Sequence, residues 1–189
     1  MGANTDQPQG DAEPSGHLHV NWEEYYALIE RLAVIIYASG YKFDSLVCLA
    51  RGGMRAGDVL SRVFQVPLAI LSTSSYRGDG GTVAGELDIA DAVTSTGGPP
   101  RGRLLVVDDL VDSGNTLGQV GGHLRRSFPQ IEEIRIAVIW FKASSVVTPD
   151  YYVERLEHNP WIHQPFERYD MVRPEDLVKA EAARRPAGA

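Results

Sequence analysis

Apolar positions recur along the chain with two different periods, and the alternation between them predicts an α/β protein. Trp22, Tyr25, Ile29, Leu32, Ala33 and Ile36 fall at helical spacing. Asn21 and Glu24 precede that face as a capping box would, and the helix is expected to end near Gly40. Ser45 to Ala50 reads as a buried strand, which Arg51-Gly52-Gly53 breaks. Ala56, Val59, Leu60 and Val63 mark a second helix, and Val66 to Leu71 the next strand. Strand, glycine turn, helix and strand make a βαβ unit with a right-handed crossover. Leu104 to Val107 and Ile134 to Phe141 are further apolar runs of the kind that parallel sheets cover on both faces. Between them Leu117, Val120, Leu124 and Phe128 give one helix a single apolar face, closed by Arg125 and Arg126.

The segments between these elements set the expected domain plan. Residues 1–16 hardly contain an apolar side chain and are expected to be a disordered tail. Ser72 to Pro100 is polar and glycine-rich, too long for a plain connection, so a lid or a disordered insertion is expected at about 74–86, with an edge strand over Leu87, Ile89 and Val93. Tyr151 to Asp170 is aromatic and rich in Pro, His and Glu without a clean period. It is read as a small hood over 151–173, leaving 17–150 as the core and 174–189 as a terminal tail. His17 and His19 lack further metal-ligand spacing and are read as solvated.

Composition narrows the function classes. A chain of 189 residues with 43% apolar content suits one domain with a sizeable core. Cys48 is the only cysteine, which excludes an internal disulfide, and its apolar surroundings favour a small buried side chain over a nucleophile. No apolar stretch approaches the length of a membrane span and no signal-peptide core is visible, so a cytoplasmic protein without stable membrane insertion is expected. A formal charge of −7 disfavours a nucleic-acid binder.

The richest chemistry lies in Arg103 to Thr116. A buried strand leads into Asp108 and Asp109, and open α/β sheets bind ligands at the carboxyl ends of their strands. Ser113, Gly114, Asn115 and Thr116 follow, a run whose N–H groups and helix start suit a phosphate. Carboxylates beside a phosphate cradle make sense if they hold ribose hydroxyls and Mg²⁺, which takes one or two carboxylates and completes its shell with water and ligand oxygens. The run is not a P-loop, since no Gly-Lys-Ser/Thr follows.

Val107-Asp108-Asp109-Leu110-Val111-Asp112-Ser113-Gly114-Asn115-Thr116 resembles the signature of the type I phosphoribosyltransferases, which bind phosphoribosyl pyrophosphate (PRPP). The resemblance extends from about Val20 to Asp170 through Val20-Asn21-Trp22, Arg51-Gly52-Gly53, Ser74-Ser75-Tyr76, Phe141-Lys142 and Trp161 to Glu167. Within that class it is nearest the bacterial xanthine-guanine (6-oxopurine) enzymes. It implies a mostly parallel central sheet flanked by helices, with a mobile lid loop and a small C-terminal hood. It also implies Mg²⁺-dependent transfer of the 5-phosphoribosyl group to N9 of a 6-oxopurine.

By that likeness Asp108 and Asp109 hold the ribose hydroxyls and the metal, Asp112 lies near the purine N7 as the catalytic residue, and Ser113 to Thr116 bind the 5-phosphate. Arg51 and Gly52 belong to a pyrophosphate loop, with a cis peptide expected between Ala50 and Arg51. Ser75 and Tyr76 stand at the base of the lid. Lys142 would donate to the purine 6-oxo group, Trp161 stack on the base and Ile162 contact its exocyclic edge. PRPP, a purine base and a second copy of the chain, as dimer or tetramer, are the implied partners. Ala143 in place of Pro and Phe166 in place of Trp depart from the pattern. The rival readings are a regulatory homologue that binds nucleotide or RNA, and an enzyme of the same class for another base.

Overall fold

The computed structural model describes residues 16–77, 84–90 and 92–184, with backbone alone over 74–77 and 84–88. The chain forms two compact units, one of residues 26–159 and the other of its two ends, from which 16–25 and 160–184 are described.

The larger unit is built on a sheet of β2 (Ser45–Ala50), β3 (Leu68–Arg77), β4 (Ala84–Ile89), β6 (Gly102–Val111), β7 (Ile131–Lys142) and β8 (Tyr151–Leu156), ordered β4-β3-β2-β6-β7-β8, with the two-residue β5 (Thr94–Ser95) against β3. Pairing is parallel from β3 through β8 and antiparallel at β4 and β5. The apolar runs of β2, β6 and β7 are buried as parallel strands covered on both faces must be. Helix α2 (Met54–Phe64) makes the crossover from β2 to β3 and α3 (Asn115–Ser127) the crossover from β6 to β7. Alternate residues of the strands face different layers. Val47, Leu49, Leu104 and Val106 join Leu117, Val120 and Leu124 of α3 in one core, whereas Cys48 points to the α2 side. There Gly57 comes so close that a Cβ would stand 2.5 Å from Cys48 Cβ. Burial raises the Cys48 thiol pKa to about 11, in keeping with a packed, unreactive side chain.

Helix α1 (Trp22–Ala38) starts with the expected capping box. Glu24 N–H donates to Asn21 Oδ1 at 3.0 Å and Asn21 N–H to Glu24 Oε2 at 2.8 Å. The smaller unit pairs β1 (His17–His19) in parallel with β9 (Trp161–His163) and ends in α4 (Arg168–Met171) and α5 (Pro174–Arg184). The edge of the Tyr25 ring meets Phe166 at 5.6 Å.

Three boundaries differ from those expected, the first being that residues 17–25 belong to the smaller unit rather than to the core. Tyr151–Leu156 joins the main sheet as β8 beside β7, so the second unit begins at Pro160 rather than Tyr151. Most of its side chains are only half-buried because β8 lies at the sheet edge, which removes the clean period a buried strand would show. The polar stretch after Leu71 begins as strand, since β3 runs on to Arg77 against β4 with a register shift between Ser75 and Arg77. Thr and Tyr are good strand residues in spite of their polarity, and pairing with β4 carries the serines between them. Of the expected mobile loop, residues 78–83 lie outside the described residues.

Candidate active site

Strand order reverses between β2 and β6. From β2 the chain proceeds through α2 to β3 on one side, and from β6 through α3 to β7 on the other. Such a switch point opens a crevice beyond the strand ends. β2 pairs with β6 only as far as Cys48 opposite Val107, while β6 continues beside β7 through Asp108, Leu110 and Val111. Asp108 and Asp109 therefore lie within β6 rather than beyond it, on the stretch whose other edge β2 has already left.

The Arg51-Gly52-Gly53 loop fills that edge. The Ala50–Arg51 peptide is cis, as the resemblance implied. A Cβ on Gly53 would run into the Val107 carbonyl and lie 2.9 Å from Asp108 Cα. On Gly52 it would lie 2.5 Å from Asp109 Oδ1 and 2.7 Å from both Cγ and Oδ2. Both glycines permit close approach of backbone to the acid pair. Asp108 Oδ1 accepts the Asp109 N–H at 2.9 Å. Burial and the neighbouring Asp109 charge nevertheless hold the Asp108 carboxyl well above the usual carboxylate range. A buried acid crowded against a second carboxylate suits a cation or hydroxyl donors beside it. Among the described residues no three His, Cys, Asp or Glu are arranged to hold a metal. A pair of carboxylates still fits Mg²⁺, which draws the rest of its shell from water and ligand oxygens.

Beyond Val111 the chain turns through Asp112, Ser113 and Gly114, the last at φ +85° as N-cap of α3. The Gly118 N–H donates to the Gly114 carbonyl and the Asn115 N–H to Ser113 Oγ at 3.4 Å, so the N–H groups of Thr116 and Leu117 lie in the open first turn of α3, where the helix dipole favours an anion. Lys142, at the end of β7 and 7% exposed, sets its Nζ 3.3 Å from Asp112 Oδ1. Buried ammonium and exposed carboxylate thus meet beside the 113–116 loop. Asp108, Asp109, Asp112, the 113–116 loop, the Arg51 loop and Lys142 all belong to the larger unit. Ser75 and Tyr76 are in β3, where only their backbone is described.

Trp161 and Ile162 belong to the smaller unit, the indole 56% exposed and the isoleucine buried. Trp161 N–H donates to the Gly16 carbonyl at 2.7 Å and Val20 N–H to the His163 carbonyl at 3.1 Å. Parallel pairing alternates, so the N–H and carbonyl of Ile162 turn away from β1. Sequence spacing did not disclose two features. His17, His19 and His163 stack on one side of the β1–β9 pair, with His17 Nδ1 2.8 Å from His163 Nε2. Val146 N–H also reaches back to the Ser113 carbonyl at 3.0 Å. Both contacts join residues far apart in the chain, and no local pattern marks them.

An acid pair, a glycine loop and a helix start, gathered at the strand ends of a switch point, make an arrangement that suits a phosphorylated sugar. Residues 21–170 match the phosphoribosyl transferase domain family. The xanthine-guanine phosphoribosyltransferase of Idiomarina loihiensis is 30% identical over 152 residues, covering 79% of this chain and 86% of that protein. The purine phosphoribosyltransferase of Pyrococcus horikoshii superposes with a TM-score of 0.66 at 29% identity, covering 80% of this chain and 94% of that one. The Helicobacter pylori xanthine-guanine-hypoxanthine phosphoribosyltransferase shares the fold, with a TM-score of 0.67 at 24% identity over 86% and 99% of the two chains. This chain belongs to the phosphoribosyl transferase domain family and is an enzyme of the phosphoribosyltransferase class, with the type I fold.

Proposed function

We propose that the protein transfers the 5-phosphoribosyl group of PRPP to N9 of a 6-oxopurine in a Mg²⁺-dependent reaction of purine salvage in the cytoplasm. The observation that carries this reading is the pairing of buried Lys142 with Asp112, directly before a phosphate loop that opens a helix. An ammonium at a strand end suits a purine 6-oxo group, which accepts its proton, and disfavours adenine, whose exocyclic amine does not.

In this reading Ser113 to Thr116 hold the 5-phosphate, and Asp108 and Asp109 hold the ribose hydroxyls. The bond from C1 of the ribose to pyrophosphate breaks as the bond to N9 forms, with positive charge developing on the ring that nearby carboxylates stabilise. Arg51 and the Gly52 backbone receive the departing pyrophosphate, and Ser75 and Tyr76 lie at the base of a closing lid. Asp108 and Asp109 would hold Mg²⁺ together with substrate oxygens, and the bound ion would offset the charge of the leaving group. Asp112 accepts a proton from, or hydrogen-bonds, the N7 side of the base. Trp161 stacks on the purine and the Ile162 backbone meets its exocyclic edge. A spectrophotometric assay with PRPP, Mg²⁺ and guanine, xanthine, hypoxanthine or adenine in turn tests the proposal. Turnover on 6-oxopurines and none on adenine is expected. Preference for adenine, or turnover on no base, overturns it.

A further inference from the structure

Past Lys142 the chain makes a short turn to which the site described above assigns no role, and the turn closes on the phosphate loop. Ser145 N–H donates to the Lys142 carbonyl at 3.0 Å. Ser145 Oγ donates to the Val147 carbonyl at 2.8 Å and accepts the Val147 N–H at 3.1 Å, which locks the turn on itself. Val146 N–H then donates to the Ser113 carbonyl at 3.0 Å, although the Val146 side chain is exposed. A Cβ on Gly114 would stand 2.5 Å from Ser145 Oγ and 2.8 Å from Val147 N. Gly114 is thus required twice, by its positive φ and by the hydroxyl lying against its Cα. With the Lys142–Asp112 ion pair, these contacts close a ring from Lys142 through Asp112, Ser113, Val146 and Ser145 back to Lys142.

We propose that Ser145 is a positioning residue of the phosphate site. Its hydroxyl sets the turn that holds the Ser113–Gly114 corner, and so aims the first N–H groups of α3 at the phosphate monoester of the substrate. This rests on the function proposed above. The hydroxyl satisfies two backbone groups of Val147. Losing both bonds loosens the turn and releases the Ser113 carbonyl, which blurs the geometry a phosphate needs while leaving Lys142 anchored in β7. The effect should therefore fall on PRPP more than on the base.

The test is steady-state kinetics of Ser145→Ala and Ser145→Thr, with amide exchange measured on the free proteins. In Ser145→Ala the KM for PRPP should rise about 5- to 30-fold, as expected for the loss of one or two hydrogen bonds, with the KM for guanine and kcat changed less than about threefold. Ser145→Thr, which keeps the hydroxyl, should restore the PRPP value. Exchange at 113–118 should quicken in Ser145→Ala while the amides of β2 and β6 stay protected. An unchanged KM for PRPP, or equal rises for both substrates, overturns the proposal. If Ser145→Ala does not fold, Ser145→Cys is read by the same criteria, since a thiol is a weak donor and acceptor. If the wild-type protein turns over no base, the functional reading fails, and titration of ribose 5-phosphate decides the separate question. Weaker binding to Ser145→Ala with faster exchange at 113–118 supports the positioning role, and equal binding refutes it.

Discussion

Replacing Gly52 with alanine isolates how the Arg51 loop and the acid pair depend on each other. Gly52 has no left-handed φ, so an alanine backbone suits the position and the perturbation is steric. The new methyl would stand 2.5–2.7 Å from all three terminal atoms of Asp109, against ordinary carbon contacts of about 3.5 Å, so the carboxylate must move by about an ångström. A hydrogen bond from a ribose hydroxyl to a charged carboxylate contributes about 1.5–3 kcal/mol. Its loss corresponds to a roughly 10- to 150-fold fall in kcat/KM for PRPP. The assay is kcat/KM for PRPP at saturating guanine, with thermal melting to confirm the fold. In an Asp109→Ala background no carboxylate remains to be displaced, and Gly52→Ala should then cost little. Wild-type kcat/KM in Gly52→Ala, or an equal loss with and without the Asp109 carboxylate, would refute the reasoning.

Asp112→Asn keeps the size of the side chain but cannot take a proton, so PRPP binding should persist while turnover falls by about 10² or more. Unchanged kcat with saturating PRPP and guanine would remove Asp112 from catalysis. Guanine should be preferred to hypoxanthine, because its 2-amino group can donate to a carbonyl of the base site. Ile162, turned away from β1, is the candidate, since the His163 carbonyl already accepts from Val20. A buried carbonyl without a partner costs about 1–3 kcal/mol, or roughly 5- to 150-fold in kcat/KM, and equal values for the two bases would sink this assignment. Burial, followed by the charges of His19 and His17, lowers the pKa of His163, so the unfolded chain takes up that proton first as pH falls. Stability should be intact above about pH 6.5 and decline below it, more steeply than in His163→Gln. A melting-temperature difference between the two proteins that stays constant from pH 8 to 5.5 would rule this out.

The sheet was legible because its strands are buried on both faces. Leu46 to Leu49, Leu104 to Val107 and Val138 to Phe141 can be read without their partners, as each must be apolar on either side. The capping box at Asn21 and Glu24 was equally local. β8 was not, because an edge strand such as Tyr151–Leu156 carries Glu154 and Arg155 and takes its identity from pairing with β7. Glu154 even serves the core from the edge, its Oε2 accepting the N–H of the fully buried Trp140 at 3.0 Å. The three stacked histidines were hidden for a related reason. His17 and His19 share one side of a strand, but their partner lies 146 positions from His17.

The acids and glycines of the candidate site stood out in the sequence, yet the structure changes what they are for. Gly52 and Gly53 read locally as residues that let the chain turn. In the fold neither has a left-handed φ, and each is small because an acid or a carbonyl of β6 occupies the space of a side chain. Gly114 shows both demands at once, with φ +85° and Ser145 Oγ against its Cα. A glycine needed for a turn can be recognised from its neighbours in the chain. One needed for close approach has its reason on another strand, and here those strands meet where β2 stops and β6 goes on. The loop after β2 and the loop after β6 are therefore not independent halves. A side chain added to the first displaces Asp109, and loosening the turn after Lys142 releases the second, so substitutions that appear remote from one substrate are expected to act through the other.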